Sequence, residues 1–126
     1  MKLLTFDEIT PEDILWLTRA LAFDYHETSL EEILDGVRDG TKQLWRMESG
    51  IVVSAMFDWT GGRELVVSHI AGKNFIPNMV ETASILRAYA KANGCRWWMV
   101  LASRPGLYKA YAKIGKESGR IFIEEI

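Results

Sequence analysis

Arg63-Glu64-Leu65-Val66-Val67-Ser68-His69-Ile70-Ala71-Gly72-Lys73-Asn74-Phe75-Ile76-Pro77 leads from a strand through a glycine loop to a helix start. Glu64 to Ile70 is apolar and β-branched at Leu65-Val66-Val67, which suits a strand in the middle of a sheet. The loop His69-Ile70-Ala71-Gly72-Lys73-Asn74 has one glycine, and Pro77 is well placed to open a helix. Met79, Ala83, Leu86 and Ala90 recur at helical spacing, and Asn93-Gly94 ends that helix. Arg96 to Ala102 is the next strand. Its adjacent Trp97 and Trp98 point to opposite faces, so both faces should be covered and both rings should join the core. A short helix over Pro105 to Ile114 follows, and Tyr111-Ala112-Lys113-Ile114-Gly115 closes the stretch.

Working outward, Leu3 to Phe6 reads as a first strand. Thr10-Pro11-Glu12-Asp13 is a strong helix start: threonine caps, proline suits the first position, and the acids face the positive end of the dipole. Ile14, Leu17, Ala20 and Leu21 form its stripe, and Phe23 lies near its end. Thr28 with Glu31, or Ser29 with Glu32, has capping-box spacing for a second helix that stops at Gly40. Strands over Gln43 to Met47, Ile51 to Trp59 and Glu64 to Ile70 are joined by glycine turns, so they are expected to be antiparallel neighbours. Arg120 to Glu125 is the last strand. The resulting order is β-α-α-β-β-β-α-β-α-β.

The 126 residues suit a single domain large enough to bury its own core. Fifteen Lys and Arg against seventeen Asp and Glu give a net charge of −2 and no electrostatic footprint for nucleic acid. Only a local basic cluster remains, at Lys109, Lys113, Lys116 and Arg120. Cys95 is the one cysteine, which excludes an intramolecular disulfide and suits a small buried hydrophobe. No apolar run approaches the roughly 20 residues of a membrane span, and the N-terminus turns acidic before a signal sequence develops. A cytoplasmic protein is expected.

Candidate chemistry is sparse. Tyr111 could protonate a leaving group, or pack with Tyr108 against the sheet. His69, at the end of a central strand, could take a proton from an amine, or sit there as a hydrogen-bonded strand histidine. Glu64 beside a turn reads as a solvated charge rather than a base. Asp24, His26 and Glu27 have no shared helical face, so a loop explains them better than a metal site, and no metal is expected. Glu8, Glu12 and Asp13 read as first-turn helix acids. Of the five tryptophans, Trp16, Trp45 and Trp59 are not all buried by periodicity, which favours protein contacts.

This order of elements resembles the GNAT (GCN5-related N-acetyltransferase) fold over nearly the whole chain. The resemblance implies one domain, residues 1–126, of α+β class with an α-β-α layered, mixed central sheet. GNAT enzymes carry a tyrosine, a lysine two residues on, a glycine two further, then an aromatic. Tyr111, Lys113 and Gly115 match, and Lys116 takes the aromatic position. Their phosphate loop reads Gln or Arg, two residues, Gly, one residue, then Gly or Ala. Aligned on Gly72, His69 and Asn74 replace the outer two. The resemblance implies acetyl-CoA held by backbone amides of Ala71, Gly72, Lys73 and Asn74. It also implies direct attack by an amine, with Tyr111 as acid to the departing thiolate. Bulk at Asn74, Phe75 and Ile76, and the N–H missing at Pro77, make the loop an incomplete anion cradle.

A narrower likeness is to small GNAT-like proteins of tailed bacteriophages. It rests on His69-Ile70-Ala71-Gly72, on Gly94-Cys95, and on Arg104-Pro105-Gly106-Leu107-Tyr108-Lys109, where Leu107 stands at an aromatic position. Such proteins are often encoded among virion assembly or genome-ejection genes. This likeness implies a non-catalytic viral protein without cofactor, whose partners are other virion proteins or a second copy of itself. The alternative is an acetyl-CoA-dependent N-acetyltransferase.

Overall fold

The computed structural model describes residues 1–22, 28–73, 77–101, 116–118 and 121–125. The chain divides into two compact units, Met1–Ala55 with Ser68–Phe75, and Met56–Val67 with Ile76–Ile126.

The first unit holds β1 (Lys2–Leu4), a 3-10 turn (Phe6–Glu8), α1 (Pro11–Leu21), α2 (Leu30–Asp39) and β2 (Lys42–Met47). It also takes the first part of β3 (Gly50–Trp59) and the last part of β4 (Gly62–Gly72). Its strands lie in the order β1-β2-β3-β4. The β1–β2 and β2–β3 pairs are antiparallel, which sets Leu4 beside Leu44 and Leu44 beside Val53. Both helices start where their caps dictate. Thr10 accepts from the Asp13 amide, and its own amide donates to Asp13 Oδ2 at 2.8 Å. For α2 the cap is Ser29, which accepts from the Glu32 amide at 3.1 Å, and Gly40 stops the helix at φ 85°. The apolar stripes deliver Leu17, Ala20 and Ile33 to a core with Leu4, Leu44, Ile51, Val53 and Ala71.

Asp13 does more than favour a helix dipole. It is buried, and its carboxylate accepts from Arg46 Nε at 3.0 Å and from a guanidinium nitrogen at 2.7 Å, which fastens α1 to β2. Arg46 also donates to the Glu8 carbonyl at 2.9 Å. The Arg46 hydrogen bonds, opposed by burial and aided by Thr10, hold the Asp13 carboxyl below its ordinary value. On the surface, Lys2 and Thr5 hold the Glu8 carboxyl at about 2. A second polar link joins β2 to β3: Trp45 Nε1–H donates to Ser54 Oγ at 3.0 Å, and Ser54 donates to Gln43 Oε1 at 2.9 Å, all three residues being buried.

The second unit holds the end of β3, the start of β4, α3 (Met79–Ala92), β5 (Cys95–Leu101), β6 (Lys116–Ser118) and β7 (Ile121–Glu125). Its strands lie in the order β3-β4-β5-β7-β6, with β4–β5 parallel and β5–β7 and β6–β7 antiparallel. The parallel step requires a crossover, which α3 supplies. Met79, Ala83, Leu86 and Ala90 are buried as their spacing implies, and Thr82 joins them. The helix ends at Asn93, whose side chain donates to the Tyr89 carbonyl at 2.8 Å, and Gly94 follows at φ 73°. Cys95 is buried, and burial pushes its thiol up.

Four sequence expectations are corrected. Gly72 ends β4 and is not in a loop, because its backbone packs beside the β2–β3 turn. Pro77 precedes the helix: the first helical bond runs from the Thr82 amide to the Asn78 carbonyl, at 3.0 Å. A short strand, β6, adds to the expected set. Trp97 is half-buried, whereas Trp98 is 2% exposed and belongs to the core. The helix expected over Pro105 to Ile114, with Tyr111 and the Lys109–Lys113 part of the basic cluster, lies outside the described residues. Among the described residues no helix is long and apolar enough to cross a membrane.

Candidate functional site

The end of β4 carries the candidate cofactor residues, and the sequence explains their packing without a ligand. Ala71 is 3% exposed and belongs to the first unit's core. A Cβ on Gly72 would lie 2.7 Å from the Ser49 carbonyl oxygen and 3.0 Å from Gly50 Cα. A Cβ on Gly50 would collide with the Ala71 carbonyl oxygen and lie 2.5 Å from Gly72 Cα. Two glycines on neighbouring strands therefore allow their backbones to touch. The Lys73 amide continues this contact by donating to Ser49 O at 2.7 Å, while its side chain is exposed.

A pyrophosphate at this position would need free backbone N–H groups and open space at the glycine. The space at Gly72 is taken by Ser49 and Gly50, and the Lys73 amide is already bonded. The described part of the loop does not fit the phosphates of acetyl-CoA. Asn74, the fourth expected contact, lies outside the described residues.

His69 is half-buried on the same strand. Its Nδ1 lies 2.8 Å from Ser68 Oγ, which in turn lies 3.5 Å from the Val53 carbonyl oxygen. Which of the two groups donates in the Ser68–His69 contact follows the tautomer of the ring. Tyr111, the candidate acid, and His26 lie outside the described residues, so His69 is the one candidate acid–base residue described here. Among the described residues no group of three or more His, Cys, Asp or Glu could hold a metal ion.

Glu64 corrects the expectation of a solvated charge. It is 8% exposed and accepts from Trp59 Nε1–H at 3.2 Å and from Trp97 Nε1–H. The cause is a register shift. Arg63 pairs with Cys95, but Glu64 pairs with Trp97, so Arg96 is the extra residue of a bulge. Without the shift Arg96 would stand beside Glu64. Instead Arg96 donates to the Gly61 carbonyl at 3.1 Å and to Glu125 at 3.3 Å. Sequence reading missed this cluster. The signal available was an acid inside an apolar strand near two tryptophans; the bulge that joins them left no local mark.

No protein-family model matches the sequence, and no curated protein matches it. Among solved structures, a chain from the NatC complex bound to Gag peptide and CoA superposes with a TM-score of 0.59. The match covers 99% of this chain and 96% of that chain at 12% identity. The fold is GNAT-like. At that identity the likeness speaks to the mixed sheet and its helices alone.

Proposed function

We propose that this GNAT-like protein works through protein contacts and not through acetyl transfer, as a bacteriophage protein of virion assembly or genome ejection. The observation that carries the non-catalytic part is the Gly50–Gly72 contact, with the Lys73 amide bonded to Ser49. It removes the structural reason to read Gly72 as a phosphate-loop glycine. The phage part is supported by the motifs around Ala71-Gly72, Gly94-Cys95 and Arg104 to Lys109. Its partners in this reading are other virion proteins or a second copy, within the host cytoplasm. The same reading takes the chain as one domain with α-β-α layers and a helix over Pro105 to Ile114 between β5 and β6.

The second reading, an acetyl-CoA-dependent N-acetyltransferase, is favoured by the CoA bound in the NatC structure. It would use Tyr111 as acid and His69 as base. Thermal unfolding with and without acetyl-CoA separates the two. A cofactor present at 100 times its dissociation constant stabilises a protein by about 2.7 kcal/mol. The contact reading expects an unchanged midpoint at millimolar acetyl-CoA; a rise of several degrees would overturn it.

A further inference from the structure

We propose that the Phe57–Trp59 face, backed by Glu64, is a docking site for an arginine side chain of a protein partner. Phe57 and Trp59 are two apart on β3 and so share a face. They are 44% and 59% exposed, with ring centroids 6.2 Å apart and planes at 30°. Exposed aromatic pairs of this kind bind cations through their ring faces.

Three further observations select a guanidinium. First, Glu64 is an anion whose hydrogen bonds come from two neutral indoles, Trp59 and Trp97. The neighbouring charges are matched to each other: Arg63 with Asp58 at 2.7 Å and Arg96 with Glu125 at 3.3 Å. Among the described residues Glu64 has no basic partner, because the bulge directs Arg96 away from it. Second, an N–H donated to a carboxylate polarises the indole and makes its face a better cation acceptor. The charge of Glu64 thus reaches the exposed face of Trp59 although Glu64 itself is buried. Third, this chain covers other rings with its own arginines: Arg19 lies over Trp16 at 4.8 Å, Arg38 over Phe6 at 4.3 Å, and Arg96 over Trp97 at 5.4 Å. The Phe57–Trp59 pair carries no such cover among the described residues. A planar guanidinium stacks flat on an exposed ring face where a compact ammonium makes only a point contact.

The inference deepens the contact reading by giving its partner a chemistry, and it is tested apart from acetyl-CoA binding. The probe is the capped pentapeptide Gly-Arg-Gly-Arg-Gly, with lysine and glutamate versions as controls. The readout is the set of indole N–H resonances in nitrogen–proton correlation spectra of the intact protein. The arginine peptide should move the Trp59 and Trp97 signals saturably and leave those of buried Trp45 and Trp98 in place. Glu64→Gln should weaken binding roughly five- to tenfold through loss of the charge. Trp59→Ala, at an exposed position, should abolish the Trp97 shift with the rest of the spectrum intact. Unmoved indoles at millimolar peptide would overturn the proposal. So would equal shifts with the glutamate peptide, or undiminished binding by Trp59→Ala.

Discussion

Replacing Gly72 with alanine should destabilise the protein, and the size of the loss follows from what the new methyl meets. It would lie 2.7 Å from Ser49 O, 3.0 Å from Gly50 Cα and 3.3 Å from Met47 Cε. The methionine tip can swing away. The two backbone atoms yield only if the β2–β3 turn moves off β4, which stretches the 2.7 Å bond from the Lys73 amide to Ser49. Overpacking costs about 1–3 kcal/mol, and a weakened hydrogen bond up to ~1 kcal/mol more. Against this, alanine restricts the unfolded chain and returns about 0.4–1 kcal/mol. The net expectation is a loss of roughly 1–3 kcal/mol, or about 1 M in the urea midpoint at an ordinary slope. Urea unfolding followed by tryptophan fluorescence measures it. A Gly72→Ala protein as stable as the parent, or more so, would refute the reasoning, because it would mean that the space at Gly72 is open, as a phosphate cradle requires.

Further expectations come from the buried polar links. Asp13→Asn keeps the shape but removes the charge that Arg46 grips, and should cost about 1–3 kcal/mol, since the Arg46 side chain is 34% exposed and the pair is only partly desolvated. The sign of its pH dependence is set by the lowered Asp13 carboxyl: the pair's contribution is whole above the ordinary value of 3.8 and is lost as pH falls below it. Urea midpoints measured at a series of pH values should therefore fall less steeply below about pH 4 in Asp13→Asn than in the parent; parallel curves would contradict this. Ser54→Ala removes a fully buried hydroxyl that bonds Trp45 and Gln43, and should cost about 1–3 kcal/mol in the same assay.

What could be read from the residues was what neighbours along the chain decide. Thr10-Pro11, Ser29 with Glu32, Gly40 and the Met79–Ala90 stripe act within a few positions, so their caps, stops and buried faces could be anticipated. The candidate site was legible in position only. His69 was placed near the end of a central strand, whereas Ala71 and Gly72, expected in the loop that follows, belong to the strand itself. The meaning of Gly72 was not, because the atoms that require a glycine there belong to Ser49 and Gly50, more than twenty residues earlier. Asp13 looked like a helix acid because its partner Arg46 is far along the chain. Glu64 looked solvated because its burial depends on which residue of β5 stands beside it. A bulge sets that pairing, and no local pattern announces it.

We propose a GNAT-like fold without a working cofactor slot at the end of β4. Calorimetric titration of the intact protein with acetyl-CoA tests this most directly. The account predicts no heat beyond dilution up to millimolar cofactor. Saturable binding in the micromolar range, weakened by Lys73→Glu, would contradict it.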